Sequence, residues 1–169
     1  MSKPFCRAAA AVLALLFVIS AVPASAEELV GTWLTQQGDA HIRVAKCGKA
    51  MCGTIAWLRD AVDAKTGQPP VDDKNPDPGK RSRKILGIRI FAMEQDNTGA
   101  WTGGIYNSDD GQIYKGRLVP RGDSELEVQG CSGALCGSEV WGQGEVGPGV
   151  YLRTENTAAP SAALRWARR

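Results

Sequence analysis

Two cysteine motifs of equal spacing are the residues of this sequence best suited to chemistry. CGKAMCG occupies residues 47–53 and CSGALCG occupies residues 131–137, and Trp57 and Trp141 each follow the second cysteine by five residues. Four such cysteines can bind zinc, exchange electrons as dithiols, or form structural disulfides. A thioredoxin-like exchange pair has two residues between its cysteines beside a βαβ pattern, and this sequence has neither.

The N-terminus predicts the compartment in which these cysteines work. Lys3 and Arg7 precede an uncharged apolar run, and the small residues of ASA at positions 24–26 fit a cleavage site. We predict that residues 1–26 are a signal peptide removed near Ala26, and that the protein is periplasmic or secreted. A retained anchor is the weaker alternative because the apolar run is too short to span a bilayer. The mature chain then has no transmembrane segment.

Cleavage also changes the charge and the cysteine count. Lys3 and Arg7 are lost from 20 basic residues while all 18 acidic residues remain, which leaves 18 against 18. A formally neutral chain lacks the basic footprint of a nucleic-acid-binding protein, so no nucleic-acid partner is expected. Cys6 is lost as well, and four cysteines remain. The mature length suits a single domain, which we place at residues 27–155 and follow with a flexible basic tail at 156–169.

The four remaining cysteines are predicted to form two local disulfides. Cysteines in an oxidising compartment pair more readily than they bind metal. Alternation of apolar and polar residues places Cys47 and Cys52 on the polar face of one hairpin, and Cys131 and Cys136 on that of another, each pair across a four-residue loop. Such a loop brings two cysteines within the roughly 5.5 Å Cα separation of a disulfide. A zinc site of all four is the alternative, and it requires the hairpin tips to converge.

The rest of the mature chain alternates as β-strands do. Turn signals rich in Gly, Asp, Asn and Pro separate the predicted strands, which are 29–37, 40–46, 53–58, 86–93, 100–107, 112–119, 125–130 and 137–143. Eight short strands in hairpin succession predict an all-β fold, an eight-stranded antiparallel up-and-down barrel, because closure removes the exposed edges. A two-sheet sandwich is the nearest alternative. An outer-membrane barrel would need an apolar outward face, whereas these outward positions are charged or polar.

The sequence also resembles a known family. GTW at residues 31–33 resembles the G-x-W signature of lipocalins and the wider calycin group. The ordered strings CGKAMCGTIAWL, DDKNPDPGKRSRKILG, WTGGIYNSDDGQIY and GCSGALCGSEVW resemble exported bacterial proteins of unknown function that have a lipocalin-like barrel. The resemblance extends over residues 29–141 and implies the fold, an envelope location and a small-ligand role, but no reaction. In such proteins an arginine after the last tryptophan closes the barrel, and Arg153 is the candidate here.

The barrel interior is the predicted ligand site. Alternation directs four tryptophans and one acid inward, and a buried carboxylate must be paired or neutral. A basic run at the barrel mouth is predicted to hold an anionic head group, with a solvated surface as the alternative. The candidate ligand-binding residues are Trp33, Trp57, Arg83, Arg89, Trp101, Tyr106, Tyr114, Glu139 and Trp141.

The long connection at residues 59–84 is the second candidate site. Asp73, Asn75 and Asp77 alternate as the ligands of a calcium loop do, but Lys84 occupies the position of the bidentate glutamate. We therefore favour an Asx and proline turn, and no metal is predicted. Tyrosines beside the acidic turn NSDDG can polarise a substrate or form a cross-strand aromatic pair.

No enzyme class is indicated, because the single histidine, His41, falls on the outward face and no phosphate loop is present. We predict an exported soluble protein that holds a small apolar or amphipathic molecule in a barrel cavity, without a cofactor. The alternative is a cell-envelope interaction module with a packed barrel. Such a module would recognise a protein or polymer through the 59–84 loop.

Overall fold

The chain folds into a closed barrel of eight antiparallel strands that pair in chain order. The computed structural model describes residues 26–144. A short helix, α1 (Ala26–Leu29), leads into β1 (Gly31–Leu34), and the remaining strands are β2 (Ala40–Cys47), β3 (Ala50–Leu58), β4 (Arg89–Gln95), β5 (Trp101–Asn107), β6 (Gln112–Pro120), β7 (Glu125–Ser132) and β8 (Leu135–Gln143). The barrel closes where Trp33 pairs with Gln143 and Leu34 pairs with Gly142. The predicted up-and-down barrel is confirmed, whereas residues 1–25 of the predicted signal peptide, the predicted tail and Arg153 lie outside the described residues.

The connections of such a barrel alternate between its two ends. One end, which we call the connection end, carries the β1–β2, β3–β4, β5–β6 and β7–β8 connections. The opposite end, which we call the helix end, carries the other three turns, and α1 packs there against β2. The two cysteine hairpins are β2–β3 and β7–β8, so they lie at opposite ends. A zinc site shared by all four cysteines is therefore excluded by the topology.

Each cysteine pair forms the predicted local disulfide, with Cα separations of 5.8 Å for Cys47–Cys52 and 4.0 Å for Cys131–Cys136. Both pairs lie on the outward face, as predicted. The loops are shorter than the predicted four residues, because Cys47 pairs with Ala50 and Ser132 pairs with Leu135. Each turn thus has two central residues, and the first is a glycine with positive φ, as a tight hairpin turn requires.

The first predicted strand is shorter at both ends than the sequence pattern suggests. Residue 29 belongs to α1, where the Leu29 carbonyl accepts a hydrogen bond of 2.9 Å from Trp33 Nε1. At the other end the Thr35 hydroxyl accepts the backbone N–H groups of Asp39 and Ala40 and forms the β1–β2 turn. A helical turn and a side-chain-capped turn therefore replace residues that alternate as a strand does.

A β-bulge in β3 corrects the predicted direction of Trp57. Ile42 pairs with Ile55 but His41 pairs with Trp57, so Ala56 has no partner in β2. One extra residue in a strand reverses the face of the residues that follow it in that strand. The prediction that Trp57 faces inward is wrong, since Trp57 lies on the outer face with its ring centroid 4.8 Å from that of His41. His41 faces outward, as predicted.

A second bulge corrects the start of β4 and the position of Arg89. Gly53 pairs with Phe91 while Thr54 pairs with Arg89, which leaves Ile90 unpaired. Arg89 is exposed on the outer face, where its Nη1 lies 3.8 Å from Cys52 Sγ. The strand begins at residue 89 rather than 86 because Gly87 has a positive φ of 92°. Arg89 therefore lies on the outer face of the barrel, whereas it was predicted to help hold an anionic head group at the barrel mouth.

The core occupies the inside of the barrel and the space under α1. Its buried side chains include three tryptophans and two methionines, and Leu29 of α1 is fully buried against them. The central members are Trp33, Met51, Phe91, Met93, Trp101, Ile105, Leu118, Leu126, Val128 and Trp141. Within residues 26–144, no helix has the length and apolar character that crossing a membrane requires.

Candidate functional site

The inner wall of β5–β8 contains an uninterrupted row of four glycines. Gly103 pairs with Gly116, Gly116 with Gly130, and Gly130 with Gly137. These glycines alternate with buried residues such as Trp101 and therefore share the inward face. Four neighbouring strands thus present bare backbone to the interior at one level of the barrel, and we call this wall the glycine row.

Neighbouring side chains fill part of the space that the glycines leave. A Cβ atom on Gly116 would overlap Ile105 Cγ1 and would lie 2.5 Å from Met93 Cε. A Cβ on Gly103 would lie 3.2 Å from Met93 Cγ, so Met93 covers the β5–β6 half of the row. Gly53 on β3 makes similar room for the ring of Phe91. The middle of the barrel is therefore closely packed on the side of β3–β6.

Three of the four predicted interior tryptophans lie inside, and their indole nitrogens are in different environments. Trp33 Nε1 donates to the Leu29 carbonyl at 2.9 Å, and Trp141 Nε1 donates to Glu139 Oε2 at 3.2 Å. The Trp101 side chain is only 5% exposed, and its Nε1 is buried without a hydrogen-bond partner among the described residues. The Trp101 ring therefore packs in the apolar core, whereas its Nε1–H group makes no hydrogen bond within residues 26–144.

Glu139 is a carboxylate inside the barrel, as the alternation predicts. It is 3% exposed and faces the interior from β8. A second row of paired residues runs beside the glycine row from Trp101 through Leu118 and Val128 to Glu139. Three strand spacings of about 4.8 Å place the ends of this row roughly 14 Å apart along the wall. The interior therefore has polar groups at two points of an otherwise apolar level.

The long β3–β4 connection forms a compact flap, which we define as residues 70–85. Its neck is an isolated antiparallel bridge between Val71 and Lys84, and Ile85 N donates to the Pro70 carbonyl. The flap lies on the β5–β6 turn, because a Cβ on Gly111 would collide with the carbonyl of Lys74. Only a glycine at Gly111, whose φ is 73°, permits this close approach.

Asp72 holds the flap in place through three side-chain donors. Its side chain is 0% exposed, and it accepts from Tyr106 Oη at 2.5 Å, Asn75 Nδ2 at 2.7 Å and Arg83 Nε at 2.8 Å. Burial, with the hydrogen bond to Asp72, raises the pKa of Tyr106 to about 12. Tyr106 therefore stays protonated near neutrality and acts as a donor rather than as a base.

This network corrects the predicted role of Arg83. The guanidinium of Arg83 pairs with Asp72 and lies over the ring of Tyr106, 5.8 Å from its centroid. Tyr106 pairs with the exposed Ile113 and so faces outward. Arg83 thus helps to attach the flap to the outside of the barrel, and with Arg89 also outside, the predicted anionic head-group site at the mouth is not formed by these arginines.

The acidic motif in the flap forms turns, as the favoured interpretation predicts. Asn75 Oδ1 accepts from Asp77 N at 2.9 Å, and Asp77 Oδ1 accepts from Gly79 N at 2.9 Å, where it caps a 3₁₀ helix at Pro78–Lys80. Asp73 is exposed and pairs with Lys74. Within residues 26–144, no group of three or more His, Cys, Asp or Glu side chains is arranged to hold a metal ion.

Tyr114 faces inward but its hydroxyl is engaged by the β5–β6 turn. Tyr114 Oη donates to Asp110 Oδ2 at 2.6 Å, and Asn107 Nδ2 donates to the same oxygen at 3.1 Å. Burial, with this hydrogen bond, raises the pKa of Tyr114 to about 12. The two tyrosines are not a cross-strand pair, because Tyr114 pairs with Ile105 on the inner face while Tyr106 faces outward.

Two buried acids that lie outside the strands, Asp39 and Asp72, were not predicted from the sequence. Asp39 is 3% exposed, accepts from Thr35 Oγ1 at 2.5 Å, and has an Oδ2 atom without a partner among the described residues. Desolvation raises its pKa, although the Thr35 hydrogen bond opposes the shift. The spacing of three residues between Asp72 and Asn75 is that of a local side-chain turn, and it is the sequence signal that points to Asp72. Asp39 ends a turn immediately before a buried strand, which is the corresponding signal.

The chain belongs to a bacterial protein family, since the model of the family described as "Uncharacterized protein conserved in bacteria (DUF2147)" matches residues 31–143. The match begins at the first strand and ends at the last. The chain is also similar to a solved structure described as "Protein HP1028 from the human pathogen Helicobacter pylori belongs to the lipocalin family". The TM-score is 0.59 with 19% identity, over 70% of this chain and 84% of that chain. This similarity shows the lipocalin-like fold. No curated protein matches the sequence.

Proposed function

We propose that the protein binds a small apolar or amphipathic molecule inside the barrel, against the inner wall of β5–β8. The observation that carries this proposal is the glycine row, a strip of bare backbone beside the row that contains Trp101 and Glu139. Glycine weakens a strand, and one use of it there is to let a ligand approach the backbone. The lipocalin-like fold supports the same proposal, because an eight-stranded barrel is wide enough to hold one small ligand where side chains do not fill it.

The packing of the row suggests where the molecule lies. Met93 and Ile105 cover Gly116, so we place the ligand over the β7–β8 half, at Gly130 and Gly137. Met93 has an unbranched side chain that adapts to its surroundings. A ligand can therefore extend toward Gly116 when Met93 changes rotamer.

The connection end is the proposed entrance. Of the six large apolar side chains that are exposed within residues 26–144, five belong to connections or strand ends at this end of the barrel: Val62, Val71, Leu86, Ile113 and Leu135. The helix end is covered by the buried Leu29 of α1. An apolar rim at one end and a closed opposite end favour entry of an apolar molecule through the connection end.

An envelope location is part of the proposal. Disulfides persist in the periplasm and outside the cell and are rare in the cytosol. The two disulfides therefore support export, which the N-terminal sequence pattern independently predicts. Cleavage near Ala26 is tested by N-terminal sequencing of protein from its own host.

The test of binding is a titration with N-phenyl-1-naphthylamine, followed by its fluorescence, combined with native mass spectrometry of protein purified from its own host. We expect saturable binding by the wild type and a copurified small molecule. Gly130→Val puts a branched side chain on the inner wall and should abolish binding. Gly142→Val is the matched control, because Gly142 lies on β8 with nothing within 4 Å of a Cβ. Equal binding by folded Gly130→Val and wild type would overturn this location.

A second candidate function is recognition of an envelope protein or polymer by the flap. The observation that favours it is the fixation of the flap by the buried Asp72, with Lys80, Arg81 and Lys84 exposed on it. The flap can be replaced by a short Gly-Gly turn without removing a barrel strand. The recognition hypothesis predicts loss of an envelope partner with dye binding retained, whereas the ligand hypothesis predicts no partner to lose.

A further inference from the structure

Trp101 has the one indole nitrogen among the inward-facing tryptophans of the described chain that lacks a partner. Its counterparts on Trp33 and Trp141 donate to a carbonyl and to a carboxylate. Trp101 is only 5% exposed, and its Nε1 is buried with no acceptor among residues 26–144. An indole N–H only donates, and buried donors in folded proteins are nearly always paired. A phenylalanine would fill this apolar position without that cost.

The surroundings of Trp101 favour a ligand over a water molecule as the missing acceptor. Its partner across the β5–β6 pair is Leu118, and the next residue of that row is Val128, both buried and apolar. A buried water needs two to four polar partners, which such neighbours do not supply. An acceptor atom attached to an apolar body needs only the one hydrogen bond, because the body itself packs against the apolar wall.

The charge of the interior restricts the chemistry of that acceptor. Among the described residues, no lysine or arginine is buried, and the arginines predicted to receive an anionic head group lie on the outer face. A carboxylate or phosphate buried beside Trp101 would lack a positive partner, and an unpaired buried charge is strongly unfavourable. A neutral oxygen, in an ester, ketone, amide or alcohol, accepts the N–H without this penalty.

From these observations, and on the premise that the barrel binds a ligand as proposed above, we infer that the ligand is a neutral amphipathic molecule whose acceptor oxygen receives the hydrogen bond of Trp101 Nε1. Trp101 is then a specificity-determining residue that separates acceptor-bearing molecules from hydrocarbons and from anions. This differs from the sequence-based expectation of an anionic head group at the mouth.

The test compares three probes of matched chain length, methyl decanoate, the decanoate anion and undecane, in competition with N-phenyl-1-naphthylamine. We expect wild-type protein to bind methyl decanoate most tightly. Trp101→Phe should weaken methyl decanoate about tenfold, the factor that corresponds to about 1.4 kcal/mol, and change undecane less than twofold. Trp57→Phe is the matched control, since Trp57 lies on the outer face, and it should change neither affinity.

A second measurement uses the wild-type protein alone, in case Trp101→Phe is unstable. The ¹H–¹⁵N resonance of the Trp101 indole should move downfield when methyl decanoate binds and stay in place with undecane. Binding of both probes without this shift and without a selective loss in Trp101→Phe would overturn the inference and leave the proposed function standing. Failure of the wild type to bind any probe would overturn both. Tighter binding of decanoate than of its methyl ester would overturn the neutral-ligand assignment.

Discussion

Trp101 and Glu139 face the barrel interior from the two ends of one row of paired residues, and the residues between them are Leu118 and Val128. The Glu139 carboxylate accepts from Trp141, while Trp101 Nε1 has no partner in residues 26–144. The neighbouring row on the same strands consists of glycines. The glycine row, which is the proposed binding site, therefore lies next to the row that contains Trp101 and Glu139. Trp101, the residue proposed to determine selectivity, borders the proposed site.

The contact between Gly53 and Phe91 predicts a large effect of a single methyl group. A Cβ at Gly53 would overlap the Phe91 ring, so Gly53→Ala should lower the free energy of unfolding by about 1–3 kcal/mol. Urea denaturation measures this loss. Gly142→Ala is the control and should be close to neutral, because nothing lies within 4 Å of its Cβ. Phe91→Leu in the Gly53→Ala background should recover part of the loss, and no recovery would contradict the overlap.

The adjacent acids Asp72 and Asp73 should differ in how much they stabilise the flap. In the wild type, Asn75, Arg83 and Tyr106 donate hydrogen bonds to the Asp72 carboxylate. Asp72→Asn replaces one carboxylate oxygen with an N–H₂ group that cannot accept them, and we expect a loss of about 2 kcal/mol in local stability. Trypsin should then cleave the flap at Lys80, Arg81 or Lys84 much faster than in the wild type. Asp73→Asn is the matched control, since Asp73 is 62% exposed, and it should leave the cleavage rate unchanged. Equal cleavage of the two variants would contradict the anchoring role of Asp72.

The ionisation of Asp39 should make the free energy of unfolding depend on pH with a sign opposite to that expected for an ion-paired acid. Burial raises its pKa, so the folded protein keeps a proton at pH values where the unfolded chain has lost it. The free energy of unfolding therefore contains a contribution that is present at low pH and declines as the pH rises from about 4 through the folded-state pKa. Asp39→Asn removes this decline. The stability difference, variant minus wild type, should become more positive over that window, and a flat difference from pH 3 to 8 would exclude it.

Each of the two disulfides should stabilise the fold independently of the other, because each restricts the unfolded chain. Closing a ring of about six residues stabilises by about 2 kcal/mol in the chain-entropy model, so each double Cys→Ala variant should lower Tm by several degrees. We expect the larger loss for Cys131 and Cys136, because their hairpin also contains the Gly130–Gly137 pair, which has weak intrinsic strand propensity.

Reduction of both bridges in protein that begins at residue 27 should lower Tm further. In the native, nonreduced state this protein should have no alkylatable thiol. Four readily alkylated thiols under those conditions would contradict the bridges.

The strand order and the disulfides were predictable because they depend on local patterns. Alternation, turn residues and short loops determine which neighbours pair, and all eight strands lie close to their predicted positions. The face of each residue was predictable within strands that pair without a bulge, such as β8, and was mispredicted where a bulge shifts the register. Ala56 and Ile90 look like ordinary strand residues, yet their insertion turns Trp57 outward and leaves Arg89 on the outer surface.

The flap shows a different limit of sequence analysis. Its Asx turns follow from residues two positions apart and were predictable. Its attachment was not, because Asp72 and Tyr106 are 34 residues apart and meet only after the barrel has formed. The orphan donor of Trp101 is likewise a property of the assembled core, since the sequence predicts that the ring is buried but not what its nitrogen meets.

Each cysteine of the barrel is bonded to its nearest cysteine along the chain, and the two hairpins are at opposite ends. Hairpins form in microseconds, whereas thiol oxidation takes seconds or longer. An oxidant that joins cysteines in their order of synthesis therefore produces the native connectivity directly. Oxidative refolding of residues 27–169 should proceed without a disulfide isomerase and without a scrambled intermediate.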